Sequence, residues 1–320
     1  MRNFLNQLLI VFTLFITGVT SAQNFNYSGF QNLKIGDIQG VLLTDGYFYN
    51  PSVQPEMAPV AKAEEVNKIL LDNYLPTDKL ELALNVLLLK KDNHLILFDT
   101  GTGEINGNGG KLLNALSVVG IKPDQITDIV ITHAHLDHIG GLVANNKPVF
   151  PNATIYLTKK EYDFWTGKKQ DFSKSKRSGN EAELKESIKV ISTKLKSIKS
   201  KIKFIKDKET ILNCITFSLA PGHTPGHIIS TIRSNNESLV HIADLVHYGA
   251  LLFPHPEWGT SFDWNFDLAV KTRISVLDTL SRDKTLVFGY HLPYPGIGYV
   301  KKTNSNSFQW LTYPFLTPLQ

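Results

Sequence analysis

The chain is poor in sulfur and in long apolar runs. A single cysteine, Cys214, among 320 residues leaves no internal disulfide, so packing and bound metal have to hold the fold. Cys214 opens a strand-like segment and reads as a small buried apolar residue rather than a ligand. No apolar stretch reaches the ~20 residues of a membrane-spanning helix. The longest, residues 5–19, is broken by Asn6, Gln7, Gly18 and threonines. Preceded by Arg2 and followed by Thr20, Ser21 and Ala22, it reads as a secretory signal cleaved after Ala22. The expectation is a periplasmic or secreted protein with no stable membrane anchor, and no cysteine stands at the junction to carry a lipid. Residues 23–320 are read as a single domain, with ordinary globular composition: 42% hydrophobic and 19% charged over the whole chain.

Net positive charge is confined to one segment. Residues 159–208 hold 16 of the 33 basic residues against 7 acidic ones, within a net charge of +4. Such clustering is the electrostatic footprint of a nucleic-acid surface. It equally suits a solvated, lysine-rich helical insertion whose Leu184, Ile188, Ile191, Leu195 and Ile198 face the core at helical spacing. The second reading is preferred, and no nucleic-acid partner is expected.

Hydrophobic periodicity predicts strands over residues 33–43, 84–89 and 95–98, the last two joined in a hairpin by Lys91-Asp92-Asn93. Helices are expected over 60–73, 111–119 and 266–280. Further strands are expected over 129–131, 154–157, 215–219, 228–232, 239–242 and 286–288. The pattern recurs in two similar halves, an α/β arrangement of two sheets packed face to face with helices outside.

Chemistry is concentrated in residues 132–141. There His133, His135 and His138 and the carboxylate of Asp137 fall within six positions, directly after an apolar run. Neutral imidazoles and carboxylates are ligands for a borderline ion such as zinc, and one short loop can serve two ions. Other candidates follow other strands: His223 and His227 in residues 220–227, Asp244 in 242–244, and His291 in 289–291. Each sits past the carboxyl end of a strand, where loops converge in layered α/β proteins.

This set of motifs, running from Asp99-Thr100-Gly101 to His291, resembles the metallo-β-lactamase superfamily of dinuclear hydrolases. Residues 221–227, 244–247 and 291–296 resemble more narrowly its branch of N-acyl homoserine lactone lactonases and methyl parathion hydrolase-like enzymes. The resemblance implies an αββα sandwich, two central mixed β-sheets covered by helices, with the metal site at one sheet edge. It implies two Zn2+ per chain. His133, His135 and His223 would hold one, Asp137, His138 and His291 the other, and Asp244 would bridge them. Asp137 would also accept or relay a proton. Two other relatives are excluded by their ligands, since a flavodiiron enzyme would have glutamate at His135 and the best-known zinc β-lactamases cysteine at Asp244.

The activity implied is opening of N-acyl homoserine lactones, a quorum-quenching reaction, by water activated between the metals. The alternative is an organophosphate triesterase or arylesterase of the methyl parathion hydrolase type, and a metal-dependent nuclease is less favoured. The lactonases of this branch often carry tyrosine three positions after the bridging Asp. Here His247 stands there, as in the methyl parathion hydrolase-like pattern, and is expected beside the reacting carbonyl. Asp99, Thr100 and His227 are expected to orient ligands. Tyr47, Phe48, Tyr248, Phe253, Trp258, Phe262, Trp264 and Tyr294 are the candidates for the substrate pocket. The expected partner is a small-molecule lactone or ester, and a homodimer is allowed. No role is read for His94, His241 or His255.

Overall fold

The computed structural model describes residues 29–104, 108–177 and 181–315. The signal read in residues 1–22 lies outside the described residues. Among those described, no helix is long and apolar enough to cross a membrane.

The chain opens with β1 (Gln31–Ile35), β2 (Ile38–Asn50), α1 (Ala63–Asp72), β3 (Leu80–Lys91), β4 (His94–Phe98), α2 (Leu112–Val118), β5 (Asp128–Val130) and the single turn α3 (Leu136–Ile139). A small ribbon of β6 (Val143–Ala144) and β7 (Lys147–Pro148) leads to β8 (Thr154–Thr158), α4 (Lys159–Thr166), α5 (Glu181–Ser197) and β9 (Ile202–Ile205). The second half contains β10 (Thr210–Ile211), β11 (Ile215–Leu219), β12 (Ile228–Ser234), β13 (Glu237–His241), α6 (Gly249–Leu252), α7 (Phe266–Asp283), β14 (Leu286–Phe288), β15 (Ile297–Asn304) and β16 (Ser307–Thr312).

Two seven-stranded mixed sheets result, ordered β1-β2-β3-β4-β5-β8-β9 and β10-β11-β12-β13-β14-β15-β16. Pairing is parallel from β4 through β9 and between β13 and β14, and antiparallel elsewhere. Central strands are buried on both faces, so β3 carries a continuous apolar run instead of alternation. Leu87 and Leu89 enter the layer between the sheets, where they join Ile96, Phe98, Phe217, Ile232 and Phe288. Val86 and Leu88 face the other way, beneath α2, α4 and α5. The outer face of the second sheet is covered by α1, α6 and α7 through Val66, Leu70, Leu252 and Leu277. This is the αββα sandwich.

Two expectations change. The strand expected over 33–43 is a hairpin, because Gly36 turns the chain at φ +54° against Ser234, leaving no room for a Cβ. The lysine-rich segment is helical only in part. Its end, β9, is an edge strand paired with β8, on which Lys203 is exposed. Ile191, Leu195 and Ile198 pack into the core, but Leu184 faces a cavity.

Candidate metal centre

Every ligand candidate lies just past a strand of one sheet or the other. The loop after β5 carries His133, His135, Asp137 and His138; the β11–β12 loop carries His223; Asp244 follows β13 and His291 follows β14. Two strand exits adopt left-handed backbone without glycine, Asp99 at φ +61° and Ala243 at φ +47°. Such residues cost roughly 1–3 kcal/mol each and cluster at functional sites. At Ala243 the turn is held by its amide, which donates to His241 Nδ1 at 3.1 Å. His241 therefore has a structural role that the sequence did not disclose.

The ligand atoms form two groups, His133, His135, His223 and Asp244, and Asp137, His138, Asp244 and His291, each within 4.8 Å. Partners of the opposite ring nitrogens decide which atoms face inward. A carboxylate or carbonyl can only accept, so His138 Nδ1 donates to Asp99 (2.9 Å), His223 Nδ1 to Asp263 (3.0 Å) and His291 Nδ1 to the Ala83 carbonyl (2.9 Å). The Thr132 hydroxyl spends its proton on Asp99 (2.8 Å), leaving its oxygen to accept from His133 Nδ1 (3.2 Å). Lone pairs of His133 Nε2 and His223 Nε2 thus both point at His135 Nδ1, at 3.0 and 2.9 Å. One proton cannot satisfy both contacts, whereas a cation at their centre satisfies all three.

The second group makes the same demand. His138 Nε2 lies 3.2 Å from Asp244 Oδ1 and 3.5 Å from Asp137, and His291 Nε2 lies 3.3 Å from Asp137 and 3.2 Å from Asp244. Burial works to lower the His291 imidazole, but Asp244 and Asp137 outweigh it and push it up to about 9. His138 Nε2 and Asp244 Oδ1 are buried with no hydrogen-bond partner. Nitrogen and carboxylate donors of this kind fit two zinc ions, with Asp244 reaching both groups.

The surrounding framework extends beyond the residues read from the sequence. Asp99 accepts from Thr132 and His138. Thr100 instead caps the loop, donating its amide and hydroxyl to the His138 carbonyl. His227 donates from Nδ1 to the Ala220 carbonyl and accepts the Asp244 amide on Nε2 at 3.2 Å. Burial holds its pKa down at about 3, so the neutral ring fixes the Asp244 backbone. Tyr290 packs on the His138 ring and donates to the Asp137 carbonyl at 2.6 Å.

Three buried carboxylates were missed. Asp45 accepts from Gly110, Leu112 and both donors of Thr102, and so ties the loop after β4 to α2. Asp263 joins His223 to Arg273, itself buried; burial works against this charge, but Arg273 and His223 together outweigh it and hold the carboxyl below the usual range. Glu161 accepts four hydrogen bonds from around the His135 and His223 loops. Only Glu161 carried a local signal, the capping pattern Thr158-x-x-Glu161, which announces a helix start and conceals this wider role.

A cavity of about 290 Å³ opens on the ligand candidates His135, Asp137, His223, Asp244 and His291 and on His247 beside them, and is walled by Phe48, Leu82, Trp165, Phe172, Ile191 and Phe262. The expected substrate-binding aromatics divide. Tyr47, Tyr248 and Tyr294 line a second cleft on the far side of His291. Phe253, Trp258 and Trp264 line neither cavity. Phe253 is core, stacked on Trp310, and Trp258 stacks on His255. Trp264 donates to the Asp171 carbonyl and packs on Phe164, bracing the wall from behind. Nearness in sequence to a ligand loop does not tell which way a ring turns.

Residues 81–291 match the sequence pattern of the Metallo-beta-lactamase superfamily. The structure of the dizinc quorum-quenching lactonase AidC, in complex with a product, superposes with a TM-score of 0.86 at 39% identity, covering 91% of this chain and 99% of that one. An N-acyl homoserine lactonase of Bacillus sp is 25% identical over 242 residues, 68% of this chain and 84% of the relative. A probable metallo-hydrolase of Methanocaldococcus jannaschii is 35% identical over 81 residues, 25% of this chain and only 36% of that protein. With the matched region spanning both ligand groups, the chain belongs to the metallo-β-lactamase superfamily and is a two-metal hydrolase of that family.

Proposed function

We propose that the chain hydrolyses the lactone ring of N-acyl homoserine lactones. The observation that carries this reading is the cavity, whose floor is the ligand cluster and whose walls are mainly apolar, with Thr102, Ser175, Arg177 and Ser187 among them. An acyl chain needs such walls, while the polar ring must sit on the floor. The likeness to a dizinc lactonase supports the same reading. Zinc ions in the two groups would supply Lewis acidity and a nucleophile at neutral pH.

The chain's own residues supply position and proton handling. Asp137 is the ligand carboxylate most open to the cavity, and its backbone is fixed by Tyr290. It is placed to take the proton of the attacking water and return it to the ring oxygen as the C–O bond breaks. His247, stacked on His291, donates from Nε2 to Asp244 at 3.1 Å and lines the same cavity, where a substrate oxygen gaining charge would compete for that proton. Loss of a well-aimed donor often costs on the order of 10²–10³ in kcat. The ions already carry much of that charge, so His247→Ala is expected to lower kcat/KM roughly tenfold with two zinc ions retained. Zinc loss in the variant would make His247 a ligand support instead, and unchanged turnover would remove it from the reaction.

Residues 1–22 carry the composition of a secretory signal, and export is part of the proposal. Native material is expected to begin at or beside Gln23 when sequenced from its N-terminus. An intact Met1 in a membrane fraction would refute it. The test of the activity is ring opening followed by proton release on lactones of several acyl lengths, beside an aryl phosphotriester. Turnover of lactones that improves with chain length is expected. A zinc-loaded protein that prefers the phosphotriester, or opens no lactone, would overturn the reading.

A further inference from the structure

The two ion positions are held in place by different parts of the molecule. In one, His138 is tied to Asp99 at a neighbouring strand exit, while the Asp137 backbone is held by Tyr290 and His291 by Ala83, each reaching from one sheet to the other. In the other, His133 and His135 come from the first sheet and His223 from the second, so their spacing depends on how two loops meet. One side chain joins those loops. Glu161, fully buried on α4, accepts from the Ala134 amide (2.9 Å) and the Trp165 indole (2.7 Å) on Oε1, and from the Thr224 hydroxyl and the Gly226 amide (both 2.8 Å) on Oε2. Ala134 lies between two ligands and Thr224 follows the third. Trp165 packs edge-on against His135, with ring centroids 5.6 Å apart.

None of these four donors is charged, and among the described residues no cation pairs with Glu161. An uncompensated buried carboxylate is expensive to retain for packing alone. An acceptor with two oxygens and four lone-pair directions is nevertheless the only side chain that can satisfy two backbone amides and two side-chain donors at once. Glutamine cannot replace it. Its NH2 group would face an N–H that cannot accept from it, because both are donors.

We propose that Glu161 is the positioning residue for the His133/His135/His223 ion alone, setting that ion's affinity independently of its neighbour's. The proposal rests on the two-metal reading of the site but not on the substrate. It adds a buried acid, remote in sequence from every ligand, that makes the two positions unequal in how they are supported. An outer partner of this kind is worth about 10–100-fold in metal affinity.

The test separates the positions before adding the substitution. His291→Ala leaves only the first position complete, and His135→Ala leaves only the second. Zinc affinity is measured in each background by competition with a chelator, without substrate. Glu161→Gln is expected to weaken zinc about 10–100-fold in the His291→Ala protein and to leave the His135→Ala protein unchanged. Thr224→Val, which removes one donor and spares the fold, should weaken the same position by less. Equal weakening of both positions, with a lowered unfolding midpoint, would make Glu161 a structural acid and overturn the proposal. Unaltered affinity of the first position in both variants would do the same. A protein that binds two zinc ions yet opens no lactone would sink the substrate reading and leave this one standing.

Discussion

Asp244→Ala is expected to cost the protein at least one of its two zinc ions and roughly three orders of magnitude in kcat/KM. Asp244 is the one residue common to both ligand groups, and its carboxylate lies 3.1–3.6 Å from His133, His138, His223, His247 and His291. Removing it takes away the negative charge that lets two dications sit together. A bound metal contributes several kcal/mol to transition-state stabilisation, and each 1.36 kcal/mol is tenfold in rate. Elemental analysis and turnover of the same preparation check both halves. Full activity with a single ion in the wild type would show that the site works as a mononuclear centre.

Arg273→Met is expected to destabilise the fold by about 3–5 kcal/mol, the usual effect of stripping one partner from a buried ion pair. Arg273 is buried on α7, where Nε donates to the Leu245 carbonyl (2.7 Å), one terminal nitrogen to the Pro256 carbonyl (2.9 Å) and the other to Asp263 (3.1 Å). Methionine fills the volume but leaves two carbonyls and a carboxylate without their donor. The loss should reach the metal site, because Asp263 also holds His223. Denaturant unfolding at fixed free zinc measures the first effect and zinc affinity the second. A shift under about 1 kcal/mol, typical of surface pairs, would contradict the placement of this pair in the interior.

The ligands were legible because they arrive in short strings, each written directly after a strand. The framework was not. Glu161 meets partners 27 and 65 residues away, Asp45 reaches 57 to 67 residues and Asp263 40. No local pattern marks an acid whose donors are brought to it by the packing of two sheets. The aromatic residues failed for a related reason, since Phe48 and Phe253 look alike in sequence and only the fold turns one to the cavity and buries the other against Trp310. Among the strands, β14 was read at its observed bounds and the β3–β4 hairpin near them. β9 was hidden because Lys201, Lys203 and Lys206 around it read as part of a solvated charge run.

The ligands of each ion come from both sheets: His133 and His135 face His223, and Asp137 and His138 face His291. Each ion is therefore a clasp across the sandwich as well as a reagent. Unfolding must release both, so by mass action the stability of the chain rises with free zinc, by about 1.4 kcal/mol for every tenfold increase above an ion's dissociation constant. Without a disulfide to perform that task, the durability of this molecule is set partly by the zinc content of the medium around it.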